Sequence, residues 1–120
     1  MAAVSLGGMA TCARAELVEI QWDANQAFHQ TANLAPGKFI EVCGKLSASS
    51  VVDWQFHAAA PLNFNVHFHE GKEVRFPAKQ DGVAKQSGQL VATSDQDYCW
   101  MWTNKGTKPS ALAVELKRTR

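Results

Sequence analysis

Phe64-Asn65-Val66-His67-Phe68-His69 alternates apolar with polar residues and runs straight into the turn pair Glu70-Gly71. Successive side chains of an extended chain point to opposite sides, so Phe64, Val66 and Phe68 share one face while Asn63, Asn65, His67 and His69 share the other. The segment before it repeats the pattern, with Val52, Trp54 and Phe56 set against Asp53 and Gln55. Tyr98, Trp100 and Trp102 alternate with Cys99, Met101 and Thr103, and Ile40, Val42 and Leu46 alternate with Glu41, Cys43 and Lys45. A period of two in four separate segments predicts strands whose aromatic and aliphatic side is the core.

Working outward from that stretch, short strands are expected at Phe39 to Leu46, Val51 to Ala58, Leu62 to His69, Glu73 to Pro77, Gly88 to Thr93, Asp97 to Thr103 and Leu112 to Lys117. Turn chemistry separates them at Pro36-Gly37, the Ser47 to Ser50 cluster, Ala60-Pro61, Glu70-Gly71, Asp81-Gly82, Asn104 to Gly106 and Pro109. Only Trp22 to Leu34 stays open between a loop and a short helix. The spacing predicts an all-β fold, an antiparallel β-sandwich of jelly-roll type with about seven or eight strands.

The chain has 120 residues, of which 46% are hydrophobic and 19% charged, enough for one small domain with its own core. Its net charge is +1, and no basic run precedes the short Lys117-Arg118 tail, so the concentrated positive footprint of a nucleic-acid binder is missing. Met1 to Ala10 is small, apolar and uncharged, and Ala13-Arg14-Ala15 offers a small-x-small cleavage site. Residues 1–15 are therefore expected to be a signal peptide and 16–120 the domain, in a periplasmic or secreted protein. Met9-Ala10-Thr11-Cys12 adds a second route, lipid attachment at Cys12 in a bacterial envelope. After residue 15 no apolar run approaches the ~20 residues of a membrane helix.

Cleavage after Ala15 leaves Cys43 and Cys99, and two cysteines in an oxidising compartment suggest a disulfide. Both fall opposite the bulky apolar set of their strands. A bridge would contribute ~2 to 4 kcal/mol by restricting the unfolded chain. The rivals are two unlinked thiols and a thiolate metal site in which Cys99 and Met101 act as soft ligands.

The turn at Glu70-Gly71 constrains the hairpin. An odd-length loop pairs Phe68 with Val74 and Val66 with Phe76, keeping all four on the apolar side. His69 then lies opposite Glu73, and His67 opposite Arg75. The resulting set, His67-x-His69 on one strand face with Glu73 beside it and His57 on the same side of a neighbouring strand, is the sharpest chemical signal in the chain. Two imidazoles at i and i+2 can hold one transition-metal ion, and a carboxylate can complete the set or orient a ring. The bland alternative is a polar strand face with solvated or hydrogen-bonded histidines.

Phe64 to Val74, followed by Tyr98-Cys99-Trp100-Met101-Trp102-Thr103-Asn104, resembles the later part of a GOLD domain. That resemblance implies a jelly-roll-like sandwich serving protein interaction, with Cys43 and Cys99 as counterparts of the family's cysteine pair. A second, shorter resemblance is to the first metal-binding motif of cupins, through His67-x-His69-x3-Glu73. Pro61 replaces that motif's leading glycine and no later histidine supplies the second motif, so turnover of the cupin kind is not implied.

No phosphate loop, nucleophile elbow or paired-Cys zinc signature is present, and Ser, His and Asp lack spacing that would assemble a triad. Trp54, Trp100 and Trp102 could form an aromatic ligand surface, but such residues belong more often to a sandwich core. The expectation is an exported, non-catalytic binding module taking copper or zinc at His67, His69 and Glu73, with His57, Cys99 and Met101 as further ligands. The alternative is a disulfide-stapled adaptor whose partner is another envelope or secreted protein.

Overall fold

The computed structural model describes residues 16–120, so the expected signal peptide, its cleavage site and Cys12 lie outside the described residues. Seven strands build the described residues: β1 (Glu16–Glu19), β2 (Ala27–Leu34), β3 (Phe39–Leu46), β4 (Val51–Glu70), β5 (Glu73–Val91), β6 (Gln96–Thr103) and β7 (Ser110–Arg118). They form one curled sheet in the order β1-β3-β6-β4-β7-β2, with β5 paired to β4. All pairings are antiparallel except β1 with β3. The all-β class is as expected.

The curl comes from β4. Its first half pairs with β7 from Val52↔Arg118 to Ala58↔Leu112, and its second half pairs with β6 from Asn63↔Thr103 to His67↔Cys99. β5 follows both halves, with its register shifting between His57 and Leu62 and again between Leu62 and Phe64. Ala60-Pro61, expected to be a break, sits inside this continuous strand. Proline has no N–H for a ladder, and here its position coincides with the change of partner. The Ser110 hydroxyl closes the corner, donating to the Ala60 carbonyl at 2.8 Å and accepting from the Ala60 N–H at 3.0 Å. Likewise, Glu73 to Pro77 and Gly88 to Thr93, expected as two strands, fall at the two ends of the single long β5, which stops at Val91.

The two halves of the curl enclose the core. Trp54, Phe56, Phe64, Val66 and Phe68 of β4 are buried against Ile40, Val42, Tyr98, Trp100, Trp102, Leu112, Val114 and Leu116. Trp54, Phe56, Phe64 and Trp102 meet at the bend with ring centroids 4.8 to 6.5 Å apart. Buried Asn104 stitches one end of the core, donating to the carbonyls of Leu34 and Lys108 and accepting from the N–H of Gly106.

Trp22 to Leu34 resolves into β2. Asp23 begins it by accepting the N–H groups of Asn25 and Ala27 on Oδ1, and Phe28 and Leu34 reach the core.

The hairpin register differs from expectation. Glu70 pairs with Glu73, His69 with Val74 and Phe68 with Arg75. Gly71, at φ +62°, supplies the left-handed position that a tight two-residue hairpin needs, so the loop is even rather than odd. Val74 and Phe76 consequently stand on the exposed side, 41% and 47% accessible, instead of in the core. A bulge places Phe76 and Pro77 together opposite His67 before Ala78 pairs with Val66, restoring the inward set.

Gly88 of β5 lies flat against the indole of Trp54, and a Cβ there would fall 2.5 Å from Cζ2. Gly88→Ala therefore overpacks the bend and is expected to cost about 1 to 3 kcal/mol. A lower urea midpoint with altered tryptophan emission would show it, whereas an unchanged midpoint would mean that the ring moves aside freely.

Candidate functional site on the outer sheet face

Register places the polar side chains of β3, β6 and β4 in rows across the outer face of one half of the curl. Cys43, Cys99 and His67 form one row, and Glu41, Met101 and Asn65 form the next. Cys43 and Cys99, directly opposite each other, are joined in a disulfide. Their sulfurs are therefore not thiolates in this state, and Cys99 offers no soft anionic ligand.

His67 is buried although it points away from the core, with 7% of its surface accessible. Its Nε2 lies 2.9 Å from Oε2 of Glu41, and Nδ1 lies 2.7 Å from Oδ1 of Asn65. The His69 ring stands edge-on at 5.6 Å between centroids, and the Phe76 ring lies tilted at 6.1 Å. Burial pushes the His67 pKa below the ordinary imidazole value, the Glu41 carboxylate opposes that shift, and His69 adds to it. In the neutral ring Nε2–H donates to Glu41, and Nδ1 can accept from Asn65 once the side-chain amide is flipped; the imidazolium donates to Oδ1 instead.

A stability prediction follows from that lowered pKa. The unfolded chain carries more protons than the folded one below about pH 6.5, so unfolding free energy falls as the solution is acidified from there until the folded ring is protonated too. Urea titrations of the metal-free protein should show a midpoint declining through this window. His67→Gln should flatten that part of the profile, and a variant profile identical to the parent would remove His67 as its source.

The sequence-expected ligands divide between places. His67, His69, Cys99 and Met101 share this face of one half. Glu73 stands at the hairpin end opposite Glu70, with a carboxylate oxygen 3.8 Å from the Arg75 guanidinium. Arg75, expected opposite His67, turns instead to Glu70 at 3.1 Å. His57 belongs to the same strand as His67, ten residues earlier and about 33 Å along the extended chain, not to a neighbouring strand. It lines a separate open groove of about 420 Å³ with His29, Gln55, Lys85, Ser87 and Glu115. There Glu115 accepts from Gln55 and lies 3.3 Å from Nδ1 of His29.

Among the described residues, the set of three ligand-type atoms that come within 4.8 Å of one another is Glu41, Cys43 and Cys99. Glu41 and Asn65, the partners of His67, were not singled out from sequence. The signal was present, because Glu41 has the same strand parity as Cys43, and pairing Cys43 with Cys99 places Glu41 beside Met101.

The site thus lies on a curled, seven-stranded, mostly antiparallel β domain carrying a cross-strand disulfide. Solved structures share that fold. PliG, a periplasmic inhibitor of g-type lysozyme from Aeromonas hydrophila, superimposes with a TM-score of 0.61 at 15% identity, covering 87% of this chain and 98% of its own. The Yersinia pseudotuberculosis-derived mitogen gives 0.60 at 11% identity over 76% of this chain and 84% of its own. CorA, a surface-associated copper-binding protein important in copper acquisition by Methylomicrobium album BG8, gives 0.54 at 9% identity over 87% and 99%. No protein-family model and no curated protein matches the sequence, so neither the GOLD nor the cupin resemblance gains a family behind it.

Proposed function

We propose that this chain is an exported, non-catalytic binding module that takes a copper or zinc ion on the outer face at His67 and His69. The observation that carries the reading is the 2.9 Å approach of His67 Nε2 to the Glu41 carboxylate beside a second imidazole. Two ligands with bonds of about 2.1 Å lie about 3 Å apart at the right angle of tetragonal copper and about 3.4 Å apart at the tetrahedral angle of zinc, so the spacing sits nearer copper. Burial lowers the His67 pKa, which favours the uncharged ring a metal ion needs, and Nε2 becomes free when the remaining ring proton sits on Nδ1, where Asn65 Oδ1 accepts it. Glu41 takes the carboxylate role that the sequence reading gave to Glu73, and Met101, between Glu41 and Asn65 in the register, is the soft side chain of the same row. Export rests on residues 1–15 read as a signal peptide and on the disulfide, which persists in oxidising compartments. CorA lends weight to copper because it combines this fold with copper binding.

Calorimetric titration of the oxidised, metal-free domain with copper and with zinc tests the assignment. One ion per chain is expected, with affinity falling at least about 100-fold in the His67→Ala, His69→Ala double variant. A double variant that binds as tightly as the parent sinks it.

A second reading, a protein-binding adaptor or inhibitor, is favoured by the exposed Val74 and Phe76 on the β4–β5 hairpin and by the PliG fold. A parent chain without metal affinity would leave that reading standing.

A further inference from the structure

We propose that Cys43, Cys99, Glu41 and His67 form a second, reduction-gated zinc site. It holds metal only after the disulfide opens. It rests on the reading above to the extent that it shares Glu41 and His67 with the His67–His69 site, and it differs from that site in its two thiolates. Glu41, Cys43 and Cys99 already place a carboxylate oxygen and two sulfurs within 4.8 Å of one another, and Nε2 of His67 sits 2.9 Å from the same carboxylate. Ligands around tetrahedral zinc lie about 3.3 to 3.8 Å apart, so the sulfurs must separate across adjacent strands and the His67 ring, which lies outside that three-residue set, must turn toward them. Four donors of sulfur, oxygen and nitrogen type then surround one point, with β3, β6 and β4 keeping their pairing.

The gate is thiol exchange with a dithiol reductant. Its thiolate attacks Cys43 Sγ, the Cys43–Cys99 bond breaks, and Cys99 leaves as a thiolate. The reductant's second thiol then resolves the mixed disulfide, so the reductant is oxidised by two electrons to its own disulfide and the protein gains two thiols. Zinc binding displaces their two protons to solvent. Cys43 lines a shallow surface depression with Leu17, Val18 and Asp97, which gives an attacking thiolate its approach. Reduction removes the covalent link between β3 and β6, and zinc, once the two thiol protons have left, offsets two of the three negative charges on the thiolates and the carboxylate. Reduction alone therefore loosens this face, and reduction with zinc closes it again.

The test compares oxidised and dithiol-reduced protein, using cobalt as a spectroscopic stand-in for zinc and a chromophoric chelator in competition. The reduced chain is expected to bind one ion at least about 100-fold more tightly than the oxidised chain, with sulfur-to-cobalt charge transfer in the near ultraviolet. Cys43→Ser should abolish that band, and Glu41→Gln should weaken binding about tenfold. A reduced, folded chain with no gain in affinity overturns the proposal, as does cobalt binding without the thiolate band. So does a disulfide that a dithiol leaves intact under native conditions, or a reduced chain whose strand circular dichroism is lost and not restored by zinc. The oxidised titration alone reports on the His67–His69 site, so failure of one assignment is separable from failure of the other.

Discussion

Serine at both Cys43 and Cys99 is expected to lower the unfolding free energy by about 4 kcal/mol, because the bridge closes a long loop in the unfolded chain. The two residues are 56 apart in sequence and sit directly opposite each other on β3 and β6. The bond therefore adds little to a pairing the ladder already makes in the folded state. Its effect lies in the unfolded ensemble, where it removes most arrangements of the segment carrying β4 and β5. Urea unfolding of the parent and the double variant, both free of metal, measures the difference. A loss below about 1 kcal/mol would mean that the unfolded chain keeps these strands together without the bond. Zinc added to the reduced parent should recover more of the loss than zinc added to the serine variant, which keeps only the His67–His69 site.

Burial at alternate positions was legible wherever bulky residues repeat: Phe64 to Phe68, Val52 to Phe56 and Tyr98 to Trp102 face the core as their parity requires. It failed at Trp22 to Leu34, where the inward positions of β2 include Gln30 and Ala32 between Phe28 and Leu34, and a polar or small residue hides the period. Ala60-Pro61 misled for the opposite reason. Turn chemistry is local, whereas the continuity of β4 is set by β5 running beside it through the bend. The hairpin register turned on one backbone angle at Gly71, and a single-residue slip moved Val74 and Phe76 from the core to the surface. The site was half visible. His67 and His69 come from one strand and announce their shared face, but the carboxylate that meets His67 comes from β3, which reaches β4 only through β6. The nearer candidate in sequence, Glu73, is carried away by the hairpin turn.

Trp102→Ala is expected to cost about 3 to 5 kcal/mol. The indole is 1% exposed and packs edge-on to Phe56 at 5.5 Å and tilted against Phe64 at 5.3 Å, one ring from each half of β4. Removing it takes out the piece that holds the two halves of the curl at their angle, and a cavity of that size cannot collapse without moving the sheet. Trp102→Phe should cost much less. The smaller ring keeps the aromatic contacts, and the change also removes an indole N–H that has no hydrogen-bond partner among the described residues. Leaving such a group buried costs about 1 to 3 kcal/mol, which offsets part of the lost volume. The effect should reach the outer face as well, since β6 carries Cys99 and Met101 on the opposite side of the same strand. Metal affinity measured beside the urea midpoint should therefore fall in the alanine variant and hold in the phenylalanine variant. If phenylalanine proves as damaging as alanine, the indole N–H makes a bond in solution, and that bond, rather than ring volume at the bend, sets the angle of the two halves.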